Sequence, residues 1–330
     1  MSRGGKSHKI SQRNHAAKRS VRISKNHHVI IIAVILIVAV LGYLTLHNSR
    51  AATFAVASET DSGTVAGNAS VTTDSTASGG KAVKFGGTSS STTAPPIPTA
   101  VPSGFTRAFT ADFNTTAALG SFDSVYGSQF GEYSGCCSTN GITQYSSAKV
   151  LYAQNGSMFY KLHSEGSTSY AAAPQAWNYG SFTYGQVGMS VRLVSSNGPG
   201  YKIAFLLWPE TNQWTNEVDF PEVDPDFTAP IRAVSLNTTT AGGSHTFCGP
   251  LDTGYHLNDN KYHTFLLTWA PGSMNASIDG KVVETFPSSC IPSQPMRLSL
   301  QAEGWIGQGS IPTSTTDVLE VPWVYINTRN

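Results

Sequence analysis

The chain has 330 residues, 12% of them charged, with 21 Lys and Arg against 20 Asp and Glu. The balance hides an asymmetry: nine of the cations lie in the first fifty residues, which carry no acid, so the remainder holds 12 cations against all 20 acids, a net of about −8. An acidic body of this kind excludes nucleic acid as a partner, because phosphate recognition needs a positive footprint.

Residues 1–28 contain eight of those cations and read as a basic cytoplasmic tail. Val29 to Leu46 follows, VIIIAVILIVAVLGYLTL, eighteen residues without a charge. As a helix this run would rise about 27 Å, close to the roughly 30 Å hydrocarbon core of a bilayer. The basic flank would stay inside. The expectation is a single-pass transmembrane helix in the cell membrane with the C-terminal part extracellular. The alternative is a secreted protein, cut after Ala51, where Ser49 and Ala51 have the small-residue spacing of a cleavage site.

Residues 47–102 form a Ser/Thr/Gly/Pro-rich stalk that ends in TSSSTTAPPIPTAVPSG, a linker composition. Inside it, ASVTTDSTASGGKAVKFGG alternates as two short strands around Gly79-Gly80. The pair looks like the closing strands of a sugar-binding β-sandwich module, but the rest of such a module is missing.

From 103 to 330 the texture changes. Short alternating runs recur between turn signals: MFYKLH, QVGMSVRLV, KIAFLLWP, HTFLLTWA, MNASIDGKVVETF, MRLSLQAE and LEVPWVYI. No long stretch has a 3.6-residue period. This predicts one all-β sandwich or jelly roll, with Asp279-Gly280 as a two-residue hairpin turn. Trp269 and Trp323 lie in apolar strands and read as core. The four cysteines, Cys136, Cys137, Cys248 and Cys290, all fall in the exported part, where two disulfides are expected. Adjacent Cα atoms are only about 3.8 Å apart, below the usual disulfide span, so Cys136 and Cys137 are each expected to pair with Cys248 or Cys290. The spacing lacks the CxxC of a zinc site.

The segment WTNEVDFPEVD, Trp214 to Asp224, concentrates four carboxylates in a weakly charged chain. One face of a strand recurs every second residue, so Glu217 and Asp219 share a face and strict alternation puts Glu222 on the other. A β-bulge between them restores Glu222 and Asp224 to the face of Glu217. Pro221, with no N–H to donate, sits where such an interruption is tolerated. With the bulge, Glu217 and Glu222 are about 13 Å apart at Cα, a spacing from which two long side chains can lean inward. Carboxyls brought to about 5–5.5 Å suit a retaining glycosidase, one attacking the anomeric carbon and the other passing the proton. Mutual repulsion would then keep one acid protonated near neutral pH.

Glu-Val-Asp-Phe-Pro-Glu resembles the bulged E-x-D-x-x-E signature of glycoside hydrolase family 16, the laminarinase-like β-glucanases. Four further blocks resemble that family in order: FTYGQVGMSVRL, GPGYKIAFLLWP, NDNKYHTFLLTWAPGSMNASIDGKVV and MRLSLQAEGW. The resemblance spans Phe105 to Ile326. It implies a concanavalin-like β-jelly roll of two curved antiparallel sheets with a sugar cleft on the concave face. It implies Glu217 as nucleophile, Asp219 as the assisting carboxylate and Glu222 as general acid/base. Trp208 and Trp214 would stack on sugar rings, with Gln301, Glu303 and Trp305 along the same cleft. His263 is either a cleft residue or a structural histidine. Arg192 either pairs with cleft acids or lies on the outer face of its sheet. Two departures stand out. Asn216 replaces a frequent Gly, and Pro322 stands where many members carry an Asp that helps hold a structural calcium, which puts that ion in doubt.

The function expected is retaining, endo-acting hydrolysis of a β-linked polysaccharide, a β-1,3- or mixed β-1,3/1,4-glucan. A lectin-like jelly roll that binds without cleaving and an envelope transglycosylase are the alternatives. No GxGxxG, P-loop or metal cluster competes, and the Gln-Ile-His strand of jelly-roll alginate lyases is absent.

Overall fold

The computed structural model describes residues 69–73, 81–85, 93–224, 227–238, 243–305 and 307–330. The basic tail, the apolar run 29–46 and most of the stalk lie outside the described residues. Among the described residues no helix is long and apolar enough to cross a membrane. The two alternating runs in the stalk do form strands, Ala69–Thr73 and Lys81–Phe85, paired antiparallel from Ala69↔Phe85 to Thr73↔Lys81. They belong to a unit separate from residues 86–330.

The larger unit is a two-sheet β sandwich. One sheet of the described residues has the order Thr246–Cys248, Arg232–Asn237, Asn216–Val223, Tyr201–Pro209, Met296–Gly304, Gln175–Ala176 and Phe130–Gly131, with Ser181–Phe182 also on Met296–Gly304. The other runs from Lys281–Thr285 through Ser273–Ile278, His263–Ala270, Gly185–Ser196, Asp317–Arg329 and Ser157–Glu165 to a short edge at Gly135–Cys136. Period-two alternation explains why these residues make a sandwich. In His263–Ala270, Phe265, Leu267 and Trp269 face the core, while the intervening Thr264, Leu266 and Thr268 are half-buried. In Tyr201–Pro209, the odd-numbered Tyr201, Ile203, Phe205 and Leu207 do the same. Each large side chain buried there contributes about 1.5–3 kcal/mol. Two tyrosines tie the sheets together across the core: Tyr160 OH donates to Leu300 O at 2.8 Å, and Tyr201 OH to His163 O at 2.8 Å.

The even-numbered residues of Tyr201–Pro209 point the other way. Lys202, Ala204, Leu206 and Trp208 lie opposite Glu303, Gln301, Ser299 and Arg297 of the neighbouring strand. This outer face is the floor of the candidate site.

The cysteine pairing corrects the expectation. Cys136 bonds Cys137, and Cys248 bonds Cys290. The loop after Cys137 packs on Glu303 and Gly304, whereas Cys248 is on the edge strand, four strands away across the sheet. At about 4.8 Å per strand, that is near 19 Å, too far for a cross-pair. Cys248 and Cys290, with Cα atoms 6.3 Å apart, fasten the edge strand to the turn Ser288–Cys290.

Two expected cleft residues lie in the other sheet. Arg192, in Gly185–Ser196, faces outward between core residues Val191 and Leu193. It pairs with Glu320 and lies over the Tyr262 ring at 4.6 Å. His263 opens its strand beneath the hairpin turn, with Nδ1 2.8 Å from Asp279 Oδ2 and Nε2 3.3 Å from Asp259 Oδ1. A motif block fixes order along the chain and leaves open which sheet a strand joins; here the Trp-strand block joins the sheet behind the cleft. Burial acts to lower the His263 pKa, but the hydrogen bond and charge of Asp279, with Asp259, outweigh it and raise the value. Its stabilising contribution is therefore full below about pH 6.5 and is lost as pH rises through the raised folded value. His263→Gln is expected to cost about 1 kcal/mol more at pH 5.5 than at pH 9, measured by urea unfolding at the two pH values.

The Pro-rich segment before Ser103 lies on the outer face of this second sheet. Trp323 Nε1 donates to Pro95 O at 2.8 Å, and Arg107 Nη2 to Pro98 O at 3.0 Å. Trp323, read as core from its strand, is buried, but on the outer face, stacked on Tyr325 and bonded to Pro95, while Val321, Val324 and Ile326 fill the interior between the sheets.

Candidate active site

The acidic strand Asn216–Val223 is bulged as its proline implies. Against Arg232–Asn237, Glu217 faces Leu236, Asp219 faces Val234 and Glu222 faces Arg232, with a register shift between Asp219 and Glu222. Six residues on the acidic strand, Glu217 to Glu222, thus span five on its partner, Leu236 to Arg232. The interruption falls at Phe220-Pro221, whose peptide is cis. Phe220 turns into the core against Phe265, and Glu217, Asp219 and Glu222 are left on the outer face with Asp224.

Burial differs along this row. Asp219, Glu222 and Asp224 are buried, while Glu217 is half-open beside a cavity of about 690 Å³. That volume suits a ligand site. Trp208, Arg297, Ser299 and Gln301 line it from the sheet, Tyr133, Cys137 and Thr139 from one loop, and Asn212 and Trp214 from another. A second cavity of about 550 Å³, by Val194, Asn197 and Asn258, has no titratable side chain in its lining and offers no acid–base chemistry.

The electrostatics of the row follow from burial and like charge. The pKa of Glu217 is raised, first by burial and then by Glu222 and Glu303; hydrogen bonds from Trp214 and Asp219 act against the shift. Trp214 Nε1 donates to Glu217 Oε2 at 2.6 Å. Asp219 is pushed well above the ordinary aspartate value, by burial first and then by the charges of Glu217 and Glu222, with Lys202 opposing. Asp219 therefore holds the proton in its hydrogen bond with Glu217 and donates it. Lys202 Nζ lies 3.0 Å from Glu222 Oε1 and 3.1 Å from Asp224 Oδ1, and Arg232 Nη1 is 2.7 Å from Asp224 Oδ2.

The other expected cleft residues divide. Trp208 and Gln301 line the cavity with Glu217. Trp214 lines it too, but its ring lies against His245, tilted by 31° at 4.1 Å between centroids, and its N–H is committed to Glu217. Glu303 is buried, with Oε2 accepting from Thr139 Oγ1 at 2.7 Å and from Tyr145 OH at 3.4 Å, so it fastens the Thr139 loop to the sheet. Trp305 follows the end of Met296–Gly304, bonded through its N–H to Gly200 O at 2.7 Å, and is not among the cavity-lining residues. Arg192 and His263 are outside the cleft, as described. Pro322 supplies no carboxylate where the calcium-binding Asp of many members would stand, and among the described residues there is no group of three or more His, Cys, Asp or Glu side chains that could hold a metal ion.

Several site residues escaped the sequence reading. Tyr133 and Asn212 are loop residues with no periodic signal. Lys202 had one: it shares parity with Trp208 and is the single charge in KIAFLLWP. Phe247 had another. Leu236 lies opposite Glu217 and Phe247 opposite Leu236, so the three share the outer face, and Phe247 is 50% exposed.

Comparison with known proteins agrees with this geometry. The family model described as "Glycosyl hydrolases family 16" matches residues 139–325. Among solved structures, a non-specific endo-β-1,3(4)-glucanase is 17% identical, with 71% of this chain and 94% of that chain covered at a TM-score of 0.54. A Zobellia galactanivorans protein solved with laminaritriose and laminaritetraose is 15% identical, with 68% and 99% covered at a TM-score of 0.53. A structure from work on mucin-degrading endo-acting O-glycanases of the human gut microbiota is 13% identical, with 71% and 94% covered at a TM-score of 0.56. At these identities the structures establish a shared fold.

Proposed function

Because the chain belongs to glycosyl hydrolases family 16, and is therefore a glycoside hydrolase, we propose that it cleaves a β-1,3- or mixed β-1,3/1,4-glucan internally and with retention. The observation that carries this reading is the bulged strand, which sets Glu217, Asp219 and Glu222 on one face with Glu217 at the wall of the cavity. Glu217 attacks C1 of the sugar while Glu222 gives its proton to the departing oxygen. Water then returns a proton to Glu222 and displaces Glu217 from C1. Asp219 keeps its proton and donates a hydrogen bond to Glu217, which stays an ionised carboxylate able to attack. The glucanase fold relatives and the oligosaccharides in one of them support a glucan over other β-linked polymers.

The proposed setting is the cell surface, with 29–46 as the span, 47–102 as the stalk and 103–330 outside. The same active residues would serve a transglycosylase, and one feature favours acceptor sugars: Phe247 offers an exposed ring two strands from Glu217.

The test is release of reducing ends from laminarin, lichenan, agarose, carrageenan and xyloglucan by the purified protein. Release from laminarin or lichenan is expected, with β-configured ends by NMR at early times. Chains longer than the substrate would identify transfer. Folded protein that releases ends only from agarose or carrageenan would overturn the glucan reading, and α-configured ends would overturn retention.

A further inference from the structure

Lys202 is the one charged residue in Tyr201–Pro209, and its side chain is only 11% exposed. Three carboxylates surround its ammonium: Glu222 Oε1 at 3.0 Å, Asp224 Oδ1 at 3.1 Å and Glu303 Oε1 at 3.5 Å. Each comes from a different part of the site. Glu222 lies on the acidic strand, Asp224 just past its end, and Glu303 on the strand at the other side of Lys202. Burial alone would drive the lysine toward neutrality, and the three carboxylates outweigh it and hold the ammonium charged. A fixed cation in direct contact with the group assigned as acid/base bears on the reaction.

We propose that Lys202 is the positioning residue of Glu222: it holds Oε1, leaves Oε2 for the glycosidic oxygen, and meets the negative charge that appears as the proton departs. This rests on the retaining-hydrolase reading above. In the first step the C1–O glycosidic bond breaks, a bond forms between C1 and Glu217, and the proton passes from Glu222 to the leaving oxygen. Glu222 ends that step as a carboxylate against the Lys202 ammonium. Lys202 itself exchanges no proton. A preorganised charge aimed where charge develops lowers the barrier without reorganisation. The benefit is confined to leaving groups that need the proton. A sugar hydroxyl or a 4-methylphenol needs it, and 2,4-dinitrophenolate does not.

The experiment compares 4-methylphenyl and 2,4-dinitrophenyl β-laminaritriosides with the wild-type protein, Lys202→Arg, Lys202→Met and the double variant Lys202→Met/Glu303→Gln. The double variant removes one charge of each sign, so it keeps the fold testable if Lys202→Met alone fails to fold. The double variant is expected to lose roughly 10- to 100-fold in kcat/KM on the 4-methylphenyl substrate and about threefold or less on the dinitrophenyl one. Lys202→Arg is expected to recover most of the loss. Equal losses on both substrates, in variants with unchanged circular dichroism, would give Lys202 a structural role only and overturn the proposal. Wild-type protein that cleaves neither substrate would instead overturn the glucan reading, and the proposal with it.

Discussion

Glu217→Gln is expected to lower turnover of the polysaccharide by on the order of 10⁴-fold or more, while the protein stays folded. The amide keeps the shape of the side chain and its contact with the Trp214 indole N–H, which lies 2.6 Å from Oε2 in the native protein. It is not a nucleophile toward C1. The fold survives because Glu217 is a carboxylate held against burial and like charge, with a pKa raised chiefly by burial, so its loss relieves more than it removes. Turnover by reducing-end assay and melting by circular dichroism check the two halves. A second pair of variants fixes the roles. Glu217→Ala with azide is expected to give an α-glycosyl azide, since azide then attacks the face the nucleophile used. Glu222→Ala with azide is expected to give a β-glycosyl azide, since azide then takes the place of water. Exchange of the two anomers would reverse the assignment.

Asp219→Asn is expected to reduce activity roughly 100-fold and to stabilise the fold at pH 7. The activity loss comes from a carboxyl that can no longer change its state. Asp219 carries the proton while Glu217 is charged beside it, and it is free to ionise once Glu217 is esterified. An amide can donate but cannot ionise. The stability gain follows from the direction of the Asp219 shift, which is strongly upward through burial and the charges of Glu217 and Glu222. A carboxyl with a raised folded pKa contributes most below its unfolded value, near 3.9, and that contribution is lost as pH rises toward and through the folded value. The stability difference between Asp219→Asn and the wild type should therefore be small near pH 4 and widen steadily with pH. Urea midpoints between pH 4 and pH 8 measure it. A constant difference across that range would show that Asp219 ionises as an ordinary aspartate.

The acidic strand was legible because its interruption is written in residue types. A proline between two acid pairs, with parity broken across it, predicts a bulge, and the register shift lies between Asp219 and Glu222. The sandwich was legible from period-two runs for the same reason. What failed depended on which strands become neighbours. Arg192 and His263 sit in strands whose own patterns are clear, yet nothing local says that these strands form the sheet behind the cleft. The cysteines failed similarly, because distance across a sheet is set by strand order. Lys202 could have been found by extending the parity argument from Trp208 back along its own strand. Tyr133 and Asn212 could not, since loop residues reach the site through backbone paths that no periodicity encodes.

The Pro-rich segment has a directional consequence. Through Pro95 and Pro98 it is held on the outside of the sheet opposite the catalytic one. Pro95 and Pro98 therefore lie on the face turned away from the cleft, and a long polymer can thread past Glu217 without meeting them.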